Sequence, residues 1–170
     1  MSSIDRFKAN ISGGGARANQ YMVTFGSVAG AIFEQKTQFL VKTTQLPGQT
    51  ITEIPVNFRG RQLFLAGDRT FETWTTTVIN DTDFHIRRQI EGWMNNINDL
   101  ETNTGQDNVA LYTSNCVVTQ LDRNNVVLKE YKLTSCWPTV LGPIELSYDT
   151  VSDIETFDIT WRYTSFEIVI

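Results

Sequence analysis

The sequence is short of the residues on which most catalytic and metal sites depend. Its 170 residues include one histidine, His85, and two cysteines, Cys116 and Cys136. A single imidazole excludes a histidine-based triad or a multi-histidine metal site within one chain. Two cysteines are too few for a disulfide scaffold and have no metal-ligand spacing. We therefore expect buried thiols, and we expect His85 to be a surface or capping residue.

The two cysteines are also predicted to lie too far apart to form a bridge. A hairpin turn at residues 122–125 would pair Leu121 with Val126 and place Cys116 opposite Tyr131. Cys136 would then be about five residues, or roughly 16 Å, further along the strand. That separation predicts two independent thiols.

Positive charge and long apolar runs are scarce as well. Fourteen Lys and Arg against 19 Asp and Glu give a net charge of −5, whereas nucleic-acid binders concentrate positive charge. No stretch approaches the roughly 18 uninterrupted apolar residues that span a bilayer, and the first residues lack the order of a secretory signal. We expect a soluble chain without tight DNA or RNA binding and without membrane insertion.

Motifs for nucleotide binding and acid–base catalysis are missing too. Residues 26–30 are glycine-punctuated but lack the Lys-Ser/Thr of a phosphate loop, and no G-x-G-x-x-G occurs. The carboxylates of Asp81 and Asp83 suit a helix cap, and Glu155 and Asp158 suit a solvated strand face. The sequence therefore predicts a protein that is not an enzyme and has no cofactor.

The pattern of apolar residues predicts one mainly β domain. Alternating or β-branched runs favour about seven strands. The predicted strands cover residues 21–25, 37–43, 70–80, 109–121, 126–137, 144–148 and 157–163. We expect the first two, the fourth and fifth, and the last two to form hairpins.

One helix is predicted beside these strands. Residues 80–83 supply capping side chains, and Ile86, Ile90, Trp93 and Ile97 follow at helical spacing, so the helix should end near residue 98. An antiparallel β barrel or sandwich with one lateral α-helix results. It would span residues 21–170, behind a flexible or partner-ordered arm at residues 1–20 that contains three consecutive glycines.

Residues 44–69 form a long connector that a monomer does not readily accommodate. The connector is rich in large apolar residues, and its prolines and glycines predict that no single element runs through it. Exposure of such residues favours association, so either a neighbouring subunit covers the connector or it folds back over its own domain. The apolar end, residues 166–170, poses the same problem, and pairing with another chain would solve it.

The connector also holds the local cluster of positive charge. Arg59, Arg61 and Arg69 lie within eleven residues of one another. They are either scattered solvated charges or partners for acidic residues across an interface. The candidate acidic partners are Asp149, Asp153 and Glu155.

Several motifs together resemble the tail tube protein of T-even-type contractile-tailed bacteriophages. The resemblance runs from about residue 38 to residue 160. It is carried by Leu46-Pro47-Gly48, Ile54-Pro55-Val56, Ala66-Gly67-Asp68-Arg69-Thr70-Phe71, Trp74-Thr75, Asn80-Asp81, Trp137-Pro138-Thr139 and Glu155-Thr156-Phe157. Residues 1–20, residues 101–108 and the end after residue 163 do not follow the pattern.

The resemblance implies a structural virion protein made in the host cytoplasm. Its subunits would form hexameric rings that stack into the hollow tail tube inside a contractile sheath, as a conduit for the genome. Further implied partners are the sheath protein and the baseplate tube-initiating and tail-terminator proteins, with DNA only as transient, non-specific cargo in the lumen. The connector would pack against the adjacent ring through Leu46, Pro47, Gly48, Ile51, Ile54, Pro55, Val56, Phe58, Arg59, Arg61, Asp68 and Arg69.

A conduit must not retain its cargo, so its wall should be polar and neutral or acidic. The ladder Thr73, Thr75, Thr77, Thr156, Asp158 and Thr160 meets that requirement and is expected to face the lumen. Arg162 falls on the same strand face as Asp158 and Thr160, but its positive charge departs from the requirement for a neutral or acidic wall. On the helix, Arg87, Arg88 and Glu91 are candidates for the sheath contact, with a solvated helix face as the alternative.

Two other functions fit parts of the sequence. One is the inner tube of a genome-free contractile injection system. The other, from a different class, is a monomeric ligand-binding β-barrel that would use Trp74, Trp137 or Trp161 as a platform.

Overall fold

The computed structural model describes residues 3–170, so the first two residues of the predicted arm lie outside the described range. Within that range the strands are β1 (Tyr21–Thr24), β2 (Val41–Thr43), β3 (Gln49–Phe58), β4 (Arg61–Phe71), β5 (Trp74–Ile79), β6 (Ser114–Leu121), β7 (Val127–Leu141), β8 (Thr156–Arg162) and β9 (Ser165–Ile168). The α-helices are α1 (Ser3–Asn10), α2 (Thr37–Leu40), α3 (His85–Ile97) and α4 (Val109–Tyr112). A 3₁₀ turn follows α1 at Ser12–Gly14.

Seven of the described strands form one antiparallel, nearly closed sheet. Its order is β1-β6-β7-β8-β5-β2, with β9 paired to β7, while β3 and β4 form a separate two-stranded sheet. The gap between the end strands is bridged by Tyr21, whose hydroxyl donates to the backbone oxygens of Val41 (3.0 Å) and Lys42. The predicted mainly β barrel with a lateral helix is confirmed.

Large aromatic side chains fill the interior of this barrel. Trp161 is fully buried, with its ring centroid 4.9 Å from that of Phe25, 5.9 Å from that of Trp74 and 5.6 Å from that of Trp93. The Trp161 indole N–H donates to the buried Thr76 hydroxyl at 3.0 Å. Trp74 and Trp161 are therefore core residues and cannot serve as an exposed ligand platform.

Helix α3 closes one side of the core, as its apolar spacing predicts. Ile86, Ile90 and Trp93 are buried, and Ile97 is half-buried. The Asp83 carboxylate accepts the backbone N–H of His85, the first residue of the helix, at 3.1 Å. The N-cap position itself is Phe84, which makes no side-chain capping hydrogen bond. The helix ends at Ile97.

Lys36 ties the loop before α2 to the start of this helix. Its ammonium forms ion pairs with Asp81 and, at 3.1 Å, with Asp83. Hydrogen bonding to the Lys36 ammonium lowers the pKa of Asp81. Both carboxylates are thus structural groups.

Two predicted hairpins are wrong. Strand β1 pairs with β6, and half of the predicted partner segment is the helix α2, whose continuation β2 pairs with β5. Residues 144–148 form no strand, and β8 pairs instead with β5 and β7. The hairpin of β6 and β7 is confirmed, although α4 replaces the first residues of its predicted first strand.

The apolar end of the chain pairs within its own subunit. Strand β9 lies antiparallel to β7, with Phe166 opposite Leu133 and Ile168 opposite Tyr131. The expectation that this end pairs with another chain is therefore wrong for the edge of β9 that pairs with β7. The long β7 provides the partner because β8 covers only its second half.

The side chains of the two cysteines lie close together, whereas the predicted register placed them far apart. Irregularities at Gln120/Leu121 and Ser114/Cys116 shift the pairing, so Cys116 lies opposite Leu133 and Ser114 opposite Cys136. Both cysteines are free and buried, as expected. Burial, together with a hydrogen bond to Cys116, raises the pKa of the Cys136 thiol well above its usual value, so this thiol is not a reactive nucleophile.

A tight approach between two chain segments makes Gly26 a sensitive position. A Cβ at residue 26 would lie 2.2 Å from the Ser114 hydroxyl and 2.3 Å from the Asn115 backbone oxygen. We expect Gly26→Ala to destabilise the fold by roughly 1–3 kcal/mol, since β1 and β6 must separate. Thermal unfolding measures this, with Gly48→Ala as the control because its nearest atom would be 3.9 Å away. Equal midpoints for the two variants would contradict the prediction.

Candidate assembly surfaces

The connector is a β-hairpin that projects from the barrel. Strands β3 and β4 pair from Gln49/Phe71 to Phe58/Arg61, and nearly every residue in them is exposed. The predicted interruption by prolines and glycines is therefore wrong, and so is the alternative that the connector folds back over its own domain. We call residues 49–71 the stacking hairpin.

One face of the stacking hairpin is apolar. Residues directly opposite each other in an antiparallel pair share a face, so Ile54, Val56 and Phe58 lie with their partners Leu65 and Leu63. Ile54 remains 50% exposed and Phe58 69% exposed. Nothing within the described chain covers this face.

The tip of the stacking hairpin is a tight turn with positive charge. Arg59 (φ 47°) and Gly60 (φ 82°) both have positive φ, which is the conformation of the two-residue turn that suits the twist of β-hairpins. The Arg59 guanidinium lies over the Phe58 ring, 5.2 Å from its centroid. Arg61 pairs with Phe58 across the turn, so both arginines border the apolar face.

Other residues predicted to stack lie at the base of the hairpin. Asp68 and Arg69 lie on β4, exposed, near the base of the hairpin. Leu46 and Gly48 are exposed and Pro47 is half-buried in the segment that leads into β3. The stacking residues are thus contiguous along one projection.

The structure brings five of the six ladder residues together. On β5 and β8, Thr75 lies opposite Thr160, Thr77 opposite Asp158, and Thr156 opposite Ile79. The Thr77 hydroxyl donates to the Asp158 carboxylate at 2.6 Å. Thr73 precedes β5 and is exposed, and Arg162 continues the same face at the end of β8. The result is an outward-facing polar surface that carries one apolar side chain from β5.

Arg87 and Glu91 on α3 are bound to their own subunit. The Arg87 guanidinium donates to Glu91 at 3.1 Å and to the Gly142 backbone oxygen at 3.0 Å, and it lies over the Phe157 ring. Arg88 is exposed. Of the three candidates for a sheath contact, Arg88 is the one whose guanidinium has no hydrogen bond or ion pair within the described chain.

Helix α3 and the polar ladder lie on opposite faces of β8. Trp93 on the helix contacts Trp161, whose side chain points into the barrel. Asp158 and Thr160 alternate with Trp161 and so point the other way. A subunit arranged with α3 on the outside of a ring would therefore present the ladder to the inside.

A second exposed surface is formed by residues 142–155, which we call the acidic loop. It contains the three carboxylates that the sequence suggested as partners of the connector arginines, but the sequence did not predict an exposed loop at residues 144–148. The acidic loop connects β7 to β8 without regular structure, and its Leu146 and Val151 are 80% and 89% exposed. Its charged residues are Glu145, Asp149, Asp153 and Glu155, with no Lys or Arg. That charge pattern was a readable signal, but the alternation of residues 144–148 had indicated a strand.

No helix within residues 3–170 combines the length and apolar character needed to cross a bilayer. A closed aromatic core together with an uncovered apolar projection is typical of a structural subunit that associates with further protein. The sequence matches the family described as "Phage tail tube protein" over residues 6–169. This chain belongs to that family, so it is a structural component of the virion tail and not an enzyme.

Two curated relatives cover almost the whole chain. The tail tube protein gp19 of Enterobacteria phage T4 is 32% identical over 157 residues, which are 92% of this chain and 93% of the relative. The tail tube protein of Serratia phage KSP90 is 31% identical over 168 residues, which are 96% of this chain and 95% of the relative. The resemblance expected from the sequence is confirmed.

Solved structures of low sequence identity share the fold. The sheath/tube terminator of the PVC extracellular contractile injection system has a TM-score of 0.67 at 11% identity and covers 91% of this chain and 96% of that one. The sheath-tube complex of the same system has a TM-score of 0.63 at 11% identity and covers 99% of this chain and 98% of that one. The barrel with its lateral helix is therefore a tube-type fold.

Proposed function

We propose that this chain forms hexameric rings that stack, through the stacking hairpin, into the hollow conduit for the phage genome. The observation that carries the proposal is the uncovered apolar face of that hairpin. Side chains such as Ile54 and Phe58 would leave water when an adjacent ring packs on them. At about 25 cal/mol per Å², that burial drives association without a limit on the number of rings.

The ring itself has open strand edges available for closure. Strand β9 has only β7 as a neighbour, and the second half of β7 has only β8, so each of them keeps one open edge. Joining such edges between neighbouring subunits satisfies their backbone hydrogen bonds and gives a stiff, closed wall. Both edges belong to the sheet that carries the polar ladder, so that wall would be the wall of the bore.

The polar ladder supports the role of conduit. With α3 outside, Thr75, Thr77, Asp158 and Thr160 would line the lumen with hydroxyls and a carboxylate. Such a surface offers DNA no counterion for its phosphates, so the genome would slide and not bind. Arg162 at the end of β8 would lie at the rim of this surface.

The outer face would meet a contractile sheath. Arg88 is exposed on α3 and available to an acidic partner there, whereas Arg87 is held by its own subunit. The two solved structures named above are sheath/tube assemblies, which supports a sheath around this tube and a terminator at its end. A baseplate protein that initiates the tube completes the expected set of partners.

Cryo-electron microscopy of the purified chain tests this function. We expect rings with a central hole that stack into tubes, and a reconstruction in which the ladder lines the bore and α3 lies outside. A monodisperse monomer at high concentration would overturn the proposal. A tube whose ladder faces outward would overturn the assignment of the lumen.

A further inference from the structure

The stacking hairpin needs a receiving surface on the next ring, and the acidic loop has the matching chemistry. The hairpin tip carries Arg59 and Arg61 beside Phe58, with no acidic residue between positions 53 and 68. The acidic loop carries four carboxylates and no basic residue. Opposite charges on two exposed apolar surfaces favour one docking register over others.

The charged side chains of both surfaces have no ion-pair partner within the described part of the subunit. Ion pairs within residues 3–170 involve only Lys36 and Arg87 as the basic partners, so neither tip arginine is paired. On the loop, Glu155 accepts a hydrogen bond from the Asn80 side chain at 2.9 Å, whereas Asp149 and Asp153 form no ion pair with a described residue. The carboxylates nearest the loop apex are thus available to a partner.

The acidic loop also offers a recess. A groove of about 600 Å³ lies between the loop and β8; its lining is mixed, with Ile144, Leu146 and Ile154 as apolar residues among polar ones such as Asp153 and Thr150. Such a groove is wide enough for one aromatic side chain. Phe58 at the hairpin tip is the aromatic residue flanked by the two arginines.

The two surfaces lie at opposite ends of the barrel. The hairpin leaves beside Trp74, whose indole N–H donates to the Gln45 backbone oxygen at 2.9 Å. The acidic loop enters β8 at Thr156, which lies opposite Ile79 at the other end of β5. Five residue steps of strand, roughly 17 Å, separate the two ends. A copy displaced along the strands brings its hairpin to the loop of the first copy, and the contact repeats indefinitely.

We propose that the acidic loop is the docking surface for the stacking-hairpin tip of a second copy in the next ring. Phe58 enters the groove, and Arg59 and Arg61 face Asp149 and Asp153. This inference rests on the proposed function and names the partner surface of its stacking contact. The contact is directional, because each ring offers hairpins at one end and acidic loops at the other.

Reciprocal charge reversal tests the docking. The tip variant carries Arg59→Glu and Arg61→Glu, and the loop variant carries Asp149→Lys and Asp153→Lys. Alone, each variant faces like charges across the joint, so we expect rings but no tubes by negative-stain microscopy. Mixed in equal amounts, rings of the two variants are complementary at every joint when they alternate, and tube growth should return.

A matched control carries Glu101→Lys and Asp107→Lys, which change the net charge as much as the loop variant does, at exposed positions of another loop. It should form tubes alone. Circular dichroism confirms that all variants fold. Normal tubes from the loop variant alone, or a mixture that remains as rings, would overturn the docking while leaving the proposed function intact. A wild-type chain that forms no tubes would overturn both.

Discussion

Tubes should fail to grow when Ile54, Val56 and Phe58 are replaced together by serine. These side chains lie on one face of the stacking hairpin and contribute its exposed apolar surface. Their loss removes on the order of 3 kcal/mol of favourable free energy of association per subunit at each contact between rings. The concentration needed for growth, measured by sedimentation, should rise at least about 100-fold.

The barrel should remain folded in this variant, because Ile54, Val56 and Phe58 are exposed and do not pack against the buried core. The matched control is Asn57→Ser with Gln62→Ser, a cross-strand pair on the opposite face of the same hairpin. That control should assemble normally and unfold at the same temperature as the wild type. Tubes of normal length from the triple variant would show that the axial contact lies elsewhere on the subunit.

Loss of the barrel itself is expected for Trp161→Ala. Trp161 is fully buried against three aromatic rings, and its removal leaves a cavity among them. The expected cost is roughly 3–5 kcal/mol, with more from Thr76, whose hydroxyl loses its donor. Against the about 5–15 kcal/mol that stabilise a typical domain, the variant should be marginal or unfolded.

Thermal and denaturant unfolding measure this effect, with Trp137→Ala as the control. Trp137 is half-buried and has one edge-on aromatic partner, Tyr112, at 6.4 Å. Its truncation should therefore cost clearly less. A Trp161→Ala variant as stable as Trp137→Ala would contradict the assignment of Trp161 to the centre of the core.

The stacking hairpin shows why local signals can mislead about continuity. Pro55 and Gly67 predicted breaks, yet both fit within paired strands. In a two-stranded ribbon each strand keeps one open edge, so a residue without an N–H is tolerated. Gly67 lies within the register shift, where β4 has one residue more than β3. A Cβ there would come 2.8 Å from the Thr52 hydroxyl, so the glycine permits the close approach.

The acidic loop shows the reverse error. Ile144, Leu146 and Tyr148 alternate with polar residues and predicted a strand. In the structure these residues pair with no strand, and Leu146 and Tyr148 remain exposed. An alternating pattern indicates which side chains would share a face if the segment were a strand. A strand forms only where a neighbouring strand supplies backbone hydrogen bonds.

Periodicity alone determined the parts of this protein that depend on neighbours in sequence. It predicted the polar face shared by β5 and β8, the buried side of α3 and an apolar connector, and it left open whether that connector folds back over its own domain. The tertiary structure decided the rest: the pairing of β9 with β7, the meeting of Cys116 with Cys136, and the placement of hairpin and acidic loop at opposite ends. Those features depend on strand order and on single-residue bulges, and because each bulge shifts every later pair, no local pattern encodes them.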